Sequence, residues 1–182
     1  IDRFSLKDVK VEVIELGDHY DPIEKKVRLL RENYDSKSLT AIAIAAHEVG
    51  HAIQDQQGDK RLATRTKMAP VVDKVARWSV AIIYLSPVIG IITRHPMPFS
   101  LLLLLGLCGF IARMMVHVVT LPIEFDASFS KALPLLREGN YVSQSNEKAV
   151  NRILRAAALT YVSAALADIL NLGRWMVILL RR

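Results

Sequence analysis

Hydrophobic and polar positions near the start of the chain alternate with the short period of a β-strand. Residues 9–16 (VKVEVIEL) alternate in part and are rich in Val and Ile, and residues 25–30 (KKVRLL) form a second short run. The segment between them, GDHYDPIE, contains the turn formers Gly, Asp and Pro. The pattern predicts two strands joined by a loop, and therefore a small N-terminal β-hairpin.

The next segment has the pattern of a helix. Asp35, Ser36 and Ser38 are possible N-caps for a helix that is predicted from about residue 37 to 56 and stops near Gly58. This helix is apolar through AIAIAA and polar through QDQQ. Because its apolar part is too short to cross a bilayer, we expect the helix to be buried against protein or to lie near the membrane surface.

Two long apolar segments follow. Residues 71–93 and 97–121 are mostly apolar, and the short polar turn TRHPMP lies between them. Each segment is long enough to span a bilayer, so the pattern predicts a transmembrane helical hairpin. A buried hairpin in a soluble helical core is the alternative. The run FSLLLLLGLCGFIA has no polar face, which favours the membrane.

The C-terminal third is also predicted to be helical. Residues 123–145 are polar, whereas residues 147–180 become increasingly apolar after Arg155. The second segment is either a third span or an interfacial helix, and we favour the span. The whole pattern predicts a mainly α membrane protein with one domain. Its three parts are the strands and first helix, the hairpin, and the C-terminal helices, at residues 1–69, 70–121 and 122–182.

Composition and charge agree with a membrane protein. Of the 182 residues, 52% are hydrophobic, and 24 Lys and Arg against 18 Asp and Glu give a net charge of +6. The basic residues are scattered and are not interleaved with aromatic ones, so no nucleic-acid partner is expected. The single cysteine, Cys108, excludes an internal disulfide framework. The lipid bilayer is the partner that this composition predicts.

Charge also predicts the orientation of the hairpin. Two crossings leave residues 1–69 and 122–155 on the same side of the membrane. That side carries the basic residues that flank the first span, whereas the loop on the other side carries Arg94. The flanking residues are Lys60, Arg61, Arg65, Lys67, Lys74 and Arg77. The positive-inside rule makes their side cytoplasmic, although Arg181 and Arg182 count against this if the last helix spans.

The predicted first helix contains the sequence IAAHEVGHAIQ at residues 44–54. Residues four apart share a helix face, so His47 and His51 can bind one zinc ion from adjacent turns. Glu48 lies beside them and can take a proton from zinc-bound water, as in the HExxH motif of metallopeptidases. An ordinary helix with incidental polar residues is the alternative. Gly50 is a poor helix former, so its presence indicates close packing and favours the metal site.

A catalytic zinc site usually has three protein ligands, so a third ligand is required. The segment LPIEFDAS, residues 121–128, follows the second span on the same side as the histidines. If a helix starts there with Pro122 in its first turn, Glu124 and Ser128 share a face. Asp126 then points away. We predict Glu124 as the third ligand, and Ser128 as support for it or for a histidine. The alternative role for Glu124 is a carboxylate that meets the helix dipole.

His117 is the other candidate for the third ligand. It precedes Glu124 by seven residues and would share its face if the helix ran on through Pro122. Arg113 falls near the same face. Ionisable residues inside a span are functional candidates by default, but both can instead snorkel to the interface. Tyr161 can donate to an oxyanion, although a core or interfacial tyrosine is the simpler explanation.

Four stretches of the chain resemble the neutral zinc metallopeptidases of bacterial membranes, the YugP-like family. They are DHYDP, AAHEVGHAIQ, LPIEFDAS and AALTYVSAAL, at residues 18–22, 45–54, 121–128 and 157–166. The resemblance implies a bacterial membrane zinc peptidase with His47 and His51 as ligands. It also implies Glu48 as the catalytic acid/base and Glu124 as the third ligand. Members of the family begin with a transmembrane helix, so we expect an N-terminal transmembrane helix to be missing from this chain.

The layout is also similar to that of HtpX-like and CAAX prenyl proteases. These place a membrane hairpin between HExxH and a glutamate in an ExxAD motif. Here the stretch EFDAS keeps Glu124 and Ala127 but has Ser128 where Asp is expected. The similarity is therefore one of architecture, and it implies nothing about prenylated substrates.

The sequence predicts a membrane-anchored, multi-pass zinc endopeptidase that acts on a peptide or protein substrate, and the resemblance implies that its membrane is the bacterial cell membrane. Glu48 would activate zinc-bound water and pass the proton to the leaving amine. The strand at residues 25–30 is a hypothetical edge for an extended substrate. A site-2-type intramembrane protease fits poorly, because the motif helix is too short to span and no Asn-Pro-Asp-Gly-like stretch occurs. A non-catalytic zinc-binding membrane scaffold is the alternative of a different class.

Overall fold

The computed structural model describes residues 6–180, with side chains described as far as residue 170. It is mainly helical with a small sheet near the N-terminus, which confirms the mainly α part of the predicted class. The strands are β1, Lys10–Ile14, β2, His19–Asp21, and β3, Lys26–Leu30. The α-helices are α1, Arg31–Tyr34, α2, Leu39–Gln56, α3, Lys60–Thr93, α4, Pro96–Phe125, α5, Leu133–Glu138, α6, Glu147–Ala158, and α7, Thr160–Leu180. A π-helix, Asp126–Ala132, follows α4, and a 3₁₀ turn, Gln144–Asn146, precedes α6.

The two predicted strands exist, but the hairpin predicted between them is wrong. The strand order is β1-β3-β2, with β1 parallel to β3 and β2 antiparallel to β3. The predicted loop itself contains β2, so β2 and β3 form the hairpin. A two-residue period identifies strands but does not choose their partners, which is why the sequence misplaces the pairing. Since β3 is the central strand, the hypothesis that it offers a free edge to substrate is also wrong.

Polar side chains close the β2–β3 turn and tie the three strands together. Asp21 Oδ1 accepts from the main-chain N–H of Ile23 at 2.8 Å and of Glu24 at 3.1 Å. Arg28 on the central strand reaches both outer strands, since its guanidinium lies 2.6 Å from Glu12 Oε1 and 2.6 Å from Asp21 Oδ2. The sheet is thereby fixed as a unit despite its short strands.

The predicted motif helix is confirmed as α2. Ser38 caps its N-terminus, because its Oγ accepts from the main-chain N–H of Ala41 at 3.1 Å. The chain then turns at Gly58, whose φ of +68° is a conformation that favours glycine. These signals were present in the sequence, and they account for the agreement in the helix ends.

Two apolar cores bury α2. Ala43 and Ala46 pack with residues of the π-helix, α5 and α6, whereas Ala52 and Ile53 pack with residues of the sheet. The small alanines let the neighbouring elements approach the helix closely. Helix α2 was predicted either to be buried against protein or to lie near the membrane surface, and the structure shows that it is buried against protein.

The predicted apolar hairpin is present as α3 and α4. Both helices are long and apolar enough to cross a membrane, and α6 taken together with α7 makes a possible third span. The predicted first span began near residue 70, but α3 starts at Lys60 and contains Pro70. Large apolar side chains are exposed on both helices, as a lipid-facing surface requires. They include Trp78, Tyr84, Ile91, Leu101 and Leu104.

Glycine allows α3 and α4 to approach each other closely. A Cβ on Gly109 would collide with the side chain of Ser79, and a Cβ on Gly106 would collide with that of Ile83. Small residues at such contacts are typical of helices that associate in lipid, where backbones gain dispersion contacts by approaching.

The helix that was predicted to start at Pro122 does not start there. Instead α4 continues through the proline to Phe125 and passes into the π-helix. Pro122 is exposed and removes only one helical N–H, while the next residue, Ile123, is fully buried and holds the segment against the core. Glu124 therefore lies at the junction between an α-helix and a π-helix, a distortion that is frequent at functional sites.

The chain divides into two compact units. One contains the chain up to Thr64 together with Thr120–Thr160, and the other contains Arg65–Val119 together with the chain from Tyr161 onward. The first holds the sheet, α2, the π-helix, α5 and α6. The second holds most of α3 and α4 and nearly all of α7. The prediction of one domain stays a prediction.

Candidate metal centre

Helix α2 places two histidines in the interior of the first unit. His47 and His51 lie one turn apart, and their ring centroids are 4.8 Å from each other. Their exposed fractions are only 5% and 8%. Buried imidazoles need polar partners, so the groups that surround them decide what they can do.

Glu124, at the end of α4, joins the two histidines. Its Oε2 lies 3.1 Å from His47 Nε2 and 3.3 Å from His51 Nε2, and its exposed fraction is 3%. One ligand atom from each of the three residues lies within 4.8 Å of the others, a spacing that allows a shared metal ion. Among the described residues, no second group of three His, Cys, Asp or Glu side chains has this spacing.

Close packing at Gly50 brings the glutamate to α2. A Cβ on Gly50 would lie 2.5 Å from the carbonyl oxygen of Ala127 in the π-helix. No side chain fits there unless the backbone moves, so glycine lets α2 and the π-helix touch. The prediction that something packs closely at Gly50 is confirmed.

Ser128 fixes the proton on His47. Its Oγ lies 2.9 Å from His47 Nδ1 and donates to the carbonyl oxygen of Leu154 at 3.2 Å. Because the Ser128 hydroxyl donates its proton to the Leu154 carbonyl, it accepts in its hydrogen bond with His47. The Nδ1 atom of His47 therefore carries the proton of that bond. Nε2 then presents its lone pair towards Glu124. Of the two predicted roles of Ser128, the structure shows contact with a histidine.

Gln54 fixes the proton on His51 in the same way. His51 Nδ1 donates to Gln54 Oε1 at 2.9 Å, since a carbonyl oxygen only accepts. The amide nitrogen of Gln54 identifies which end of the amide faces His51, because Nε2 donates to the carbonyl oxygen of Ile123 at 2.9 Å and to Asp126 Oδ2 at 2.7 Å. Asp126 thus stays outside the ligand group, as predicted, but holds the residue that orients His51.

The three converging atoms fit a metal ion. With both Nδ1 atoms protonated, two imidazole lone pairs and one carboxylate oxygen face a common point. Such groups repel one another unless a proton or a cation lies between them. Two histidine nitrogens and one carboxylate oxygen are a donor set of catalytic zinc sites, and the partners on Nδ1 are of the kind that orient such ligands.

Glu48 lies next to the ligand group without belonging to it. Its exposed fraction is 7%. Burial raises the pKa of the Glu48 carboxyl, while the nearby histidines and the Tyr20 N–H oppose that rise. The predicted catalytic role of Glu48 stays a prediction.

The other ionisable candidates lie in the second unit. Asp168 Oδ2 is 3.1 Å from Arg113 Nε and 3.4 Å from His117 Nε2. The Tyr161 hydroxyl accepts a hydrogen bond from the guanidinium of Arg65, which also lies over its ring. His117 is therefore paired with Asp168 and does not belong to the group of His47, His51 and Glu124.

Sequence reasoning did not identify Gln54 as a neighbour of the site, and it gave Asp126 no part in orienting a ligand. Gln54 follows His51 by three residues and therefore shares its helix face, so a signal for it existed. The role of Asp126 depends on packing between distant segments, which no periodicity in the sequence reports.

Comparison with known proteins agrees with this geometry. A family described as "Putative neutral zinc metallopeptidase" matches residues 1–180. The chain is also 37% identical over 182 residues to "Putative membrane protease YugP" of Bacillus subtilis (strain 168), an alignment that covers 99% of this chain and 77% of that protein. No solved structure matches the chain. The chain belongs to this zinc metallopeptidase family, which confirms the resemblance found in its motifs.

Proposed function

We propose that this protein is a membrane-anchored, zinc-dependent endopeptidase. The observation that carries the proposal is the convergence of His47 Nε2, His51 Nε2 and Glu124 Oε2 in a buried site with both Nδ1 atoms already bonded. Family membership supports peptide hydrolysis as the reaction, and peptides or proteins as the substrate class.

Zinc, held by His47, His51 and Glu124, would supply a Lewis acid and lower the pKa of a bound water. Glu48 acts as the general base: its carboxylate takes the proton of the attacking water and returns it to the leaving amine. Burial raises the pKa of this carboxyl, which suits a group that must both accept and release a proton near neutral pH. Ser128 and Gln54 keep the two imidazoles in the tautomer that binds metal.

The bacterial cell membrane is the proposed location, with the active site on the cytoplasmic side. Helices α3 and α4 are candidate spans, and the similar protein of Bacillus subtilis is named a membrane protease. The proposed side follows from charge, because basic residues are concentrated before the first span whereas Arg94 lies in the opposite loop.

The test is cleavage of a mixture of internally quenched fluorogenic peptides by detergent-purified wild type and by Glu48→Gln. We expect at least about a 100-fold lower rate for Glu48→Gln, with its zinc retained, because general acid–base catalysis contributes about 10²–10⁴-fold. Glu32→Gln, at an exposed glutamate on α1, is the matched control and should cleave like the wild type.

A Glu48→Gln variant with wild-type activity would contradict the enzyme mechanism. A wild type that holds zinc but cleaves no peptide in the mixture, in detergent or in vesicles, would favour the non-catalytic zinc-binding scaffold.

A further inference from the structure

Helices α3, α4 and α7 bring charged side chains together in the second unit, at residues that the proposed reaction does not use. Asp168 Oδ2 on α7 lies 3.1 Å from Arg113 Nε and 3.4 Å from His117 Nε2, both on α4. The ring of His117 lies 5.9 Å from that of Tyr161, and the guanidinium of Arg65 on α3 lies over the Tyr161 ring. These five residues form the polar cluster.

The polar cluster holds more positive than negative charge. Arg65 and Arg113 each carry a guanidinium that stays charged at any ordinary pH, and these two groups stand against the single carboxylate of Asp168. The excess remains whether the imidazole of His117 is neutral or protonated. Because a partly buried charge is costly unless it is paired, the cluster favours an additional anion.

Several polar atoms of the cluster are buried without a hydrogen bond to any described residue. They are Nε of Arg65, Nε of Arg113, both ring nitrogens of His117 and Oδ2 of Asp168. The two contacts of Asp168 are therefore ion pairs that lack the geometry of a hydrogen bond. Buried polar atoms are nearly always satisfied by protein, by water or by a ligand. Since each of the three basic residues offers at least one N–H, the cluster is short of acceptor oxygens.

The polar cluster lies at the depth where lipid headgroups are expected. Along α4, Arg113 and His117 are about 26 and 32 Å from the first residue of the helix, at about 1.5 Å of rise per residue. The hydrocarbon core of a bilayer is about 30 Å thick. On α3, Trp78 is 71% exposed, and the adjacent Ser79 contacts α4 at Gly109, one turn before Arg113. An exposed tryptophan at this depth is typical of the membrane–water interface.

We propose that the polar cluster binds the phosphate group of an anionic phospholipid on the cytoplasmic side of the membrane. The phosphate oxygens accept from Arg113 and supply the negative charge that the two guanidinium groups lack. Arginine suits this task, because its planar fork of N–H donors matches phosphate oxygens in pairs. The side chain of Arg113 is 40% exposed and can be reached from the lipid, whereas that of Asp168 is 13% exposed. The inference rests on the proposed membrane location and on no step of peptide hydrolysis.

The first test is native mass spectrometry of the detergent-purified chain, titrated with phosphatidylglycerol or with phosphatidylcholine of the same acyl chains. We expect the first phosphatidylglycerol to bind at least about tenfold more tightly than the first phosphatidylcholine, since the choline group cancels the lipid charge. Equal affinities would overturn the inference. Displacement of the bound lipid by an equimolar amount of inorganic phosphate would also overturn it, and would indicate a site for a soluble anion.

The second test compares two arginines by the same titration. Arg113→Gln removes the proposed phosphate contact, so we expect the affinity for phosphatidylglycerol to fall by about tenfold. Arg77→Gln, at an exposed position of α3, removes the same charge outside the polar cluster and is the matched control. It should bind the lipid like the wild type. Equal losses in the two variants would show a general attraction between charges and would overturn the site.

Asp168→Asn separates lipid binding from a purely structural role of the cluster. The substitution keeps the size of the side chain and removes the negative charge that competes with the phosphate, so we expect the affinity for phosphatidylglycerol to rise by about threefold or more. A cluster that only holds the helices together would lose affinity in Asp168→Asn as it does in Arg113→Gln, and that result would overturn the inference. Because these titrations use neither zinc nor substrate, their outcome is distinct from failure of the proposed function, in which Glu48→Gln would remain active.

Discussion

Gly50 of α2 and Ala127 of the π-helix touch through their backbones, so closely that a Cβ on the glycine would lie 2.5 Å from the Ala127 carbonyl oxygen. The contact lies between the two segments that carry the candidate ligands, since Gly50 directly precedes His51 and Ala127 follows Glu124 by three residues. The close approach of His47 and His51 to Glu124 thus depends on a glycine at position 50, where any side chain would separate α2 from the π-helix.

Gly50→Ala should therefore weaken both the fold and the metal site. The added methyl group pushes the π-helix away from α2, which we expect to cost about 1–3 kcal/mol of stability and to lower zinc affinity. Gly173→Ala, in α7, is the control, because a Cβ there meets nothing within 4 Å. Thermal unfolding in detergent and zinc titration provide the measurements. A wild-type melting temperature and zinc affinity for Gly50→Ala would show that α2 and the π-helix leave room for a methyl group at residue 50.

Ser128→Ala tests the partner that orients His47. The substitution removes the oxygen that accepts the Nδ1 proton, so the imidazole loses its fixed tautomer and orientation. Zinc affinity should fall by about 10–100-fold, as is typical when such a partner is removed from a metal ligand. Ser130→Ala, at an exposed position of the same π-helix, is the matched control. Competition with a chromophoric chelator gives both affinities, and equal values for the two variants would contradict the role of Ser128.

Zinc binding should weaken in acid. Burial by itself would lower the pKa of His51. The hydrogen bond and the negative charge of Glu124 outweigh this effect and raise the pKa of His51 above its ordinary value. A protonated imidazole cannot bind metal, so zinc affinity is fully present above this raised pKa and is lost as the pH falls through it. Zinc titrations across the acidic range should show this loss, and an affinity independent of pH would argue against a histidine ligand.

Asp168 offers a test in the second unit, where it faces both Arg113 and His117. Replacing it with alanine leaves two basic side chains without their acidic partner. We expect a loss of about 1–3 kcal/mol, visible as a lower melting temperature in detergent. Asp73→Ala, at an exposed position of α3, should change the melting temperature little. Equal effects of the two substitutions would mean that the pairing of Asp168 contributes nothing.

The sequence predicts much of the candidate site because its chemistry is encoded in local spacing. His47 and His51 share a helix face by periodicity alone, and Glu124 follows from the need for a third ligand after the second span. The strands and the apolar hairpin are likewise read from the spacing of hydrophobic residues. Such signals depend on residues that are close in the chain.

Features that depend on distant segments were missed or misplaced. The spacing of hydrophobic residues shows where β1 and β3 lie but not that they pair in parallel. Pro122 has the local preference of a helix start, yet the burial of Ile123 carries α4 past it. The pairing of Asp168 with Arg113 likewise joins helices that are far apart in the sequence. In each case tertiary packing outweighs a local preference.

The most direct test of the central claim is the amount of zinc per chain, measured by elemental analysis of detergent-purified wild type beside His47→Ala and Glu124→Ala. His95→Ala, at an exposed histidine in the loop between α3 and α4, is the control. The proposed site predicts close to one zinc per chain in the wild type and the control, with zinc lost or weakened in the other two variants. A wild type that binds no zinc even after reconstitution, or variants that bind it like the wild type, would contradict the three-residue zinc site and the peptidase mechanism built on it.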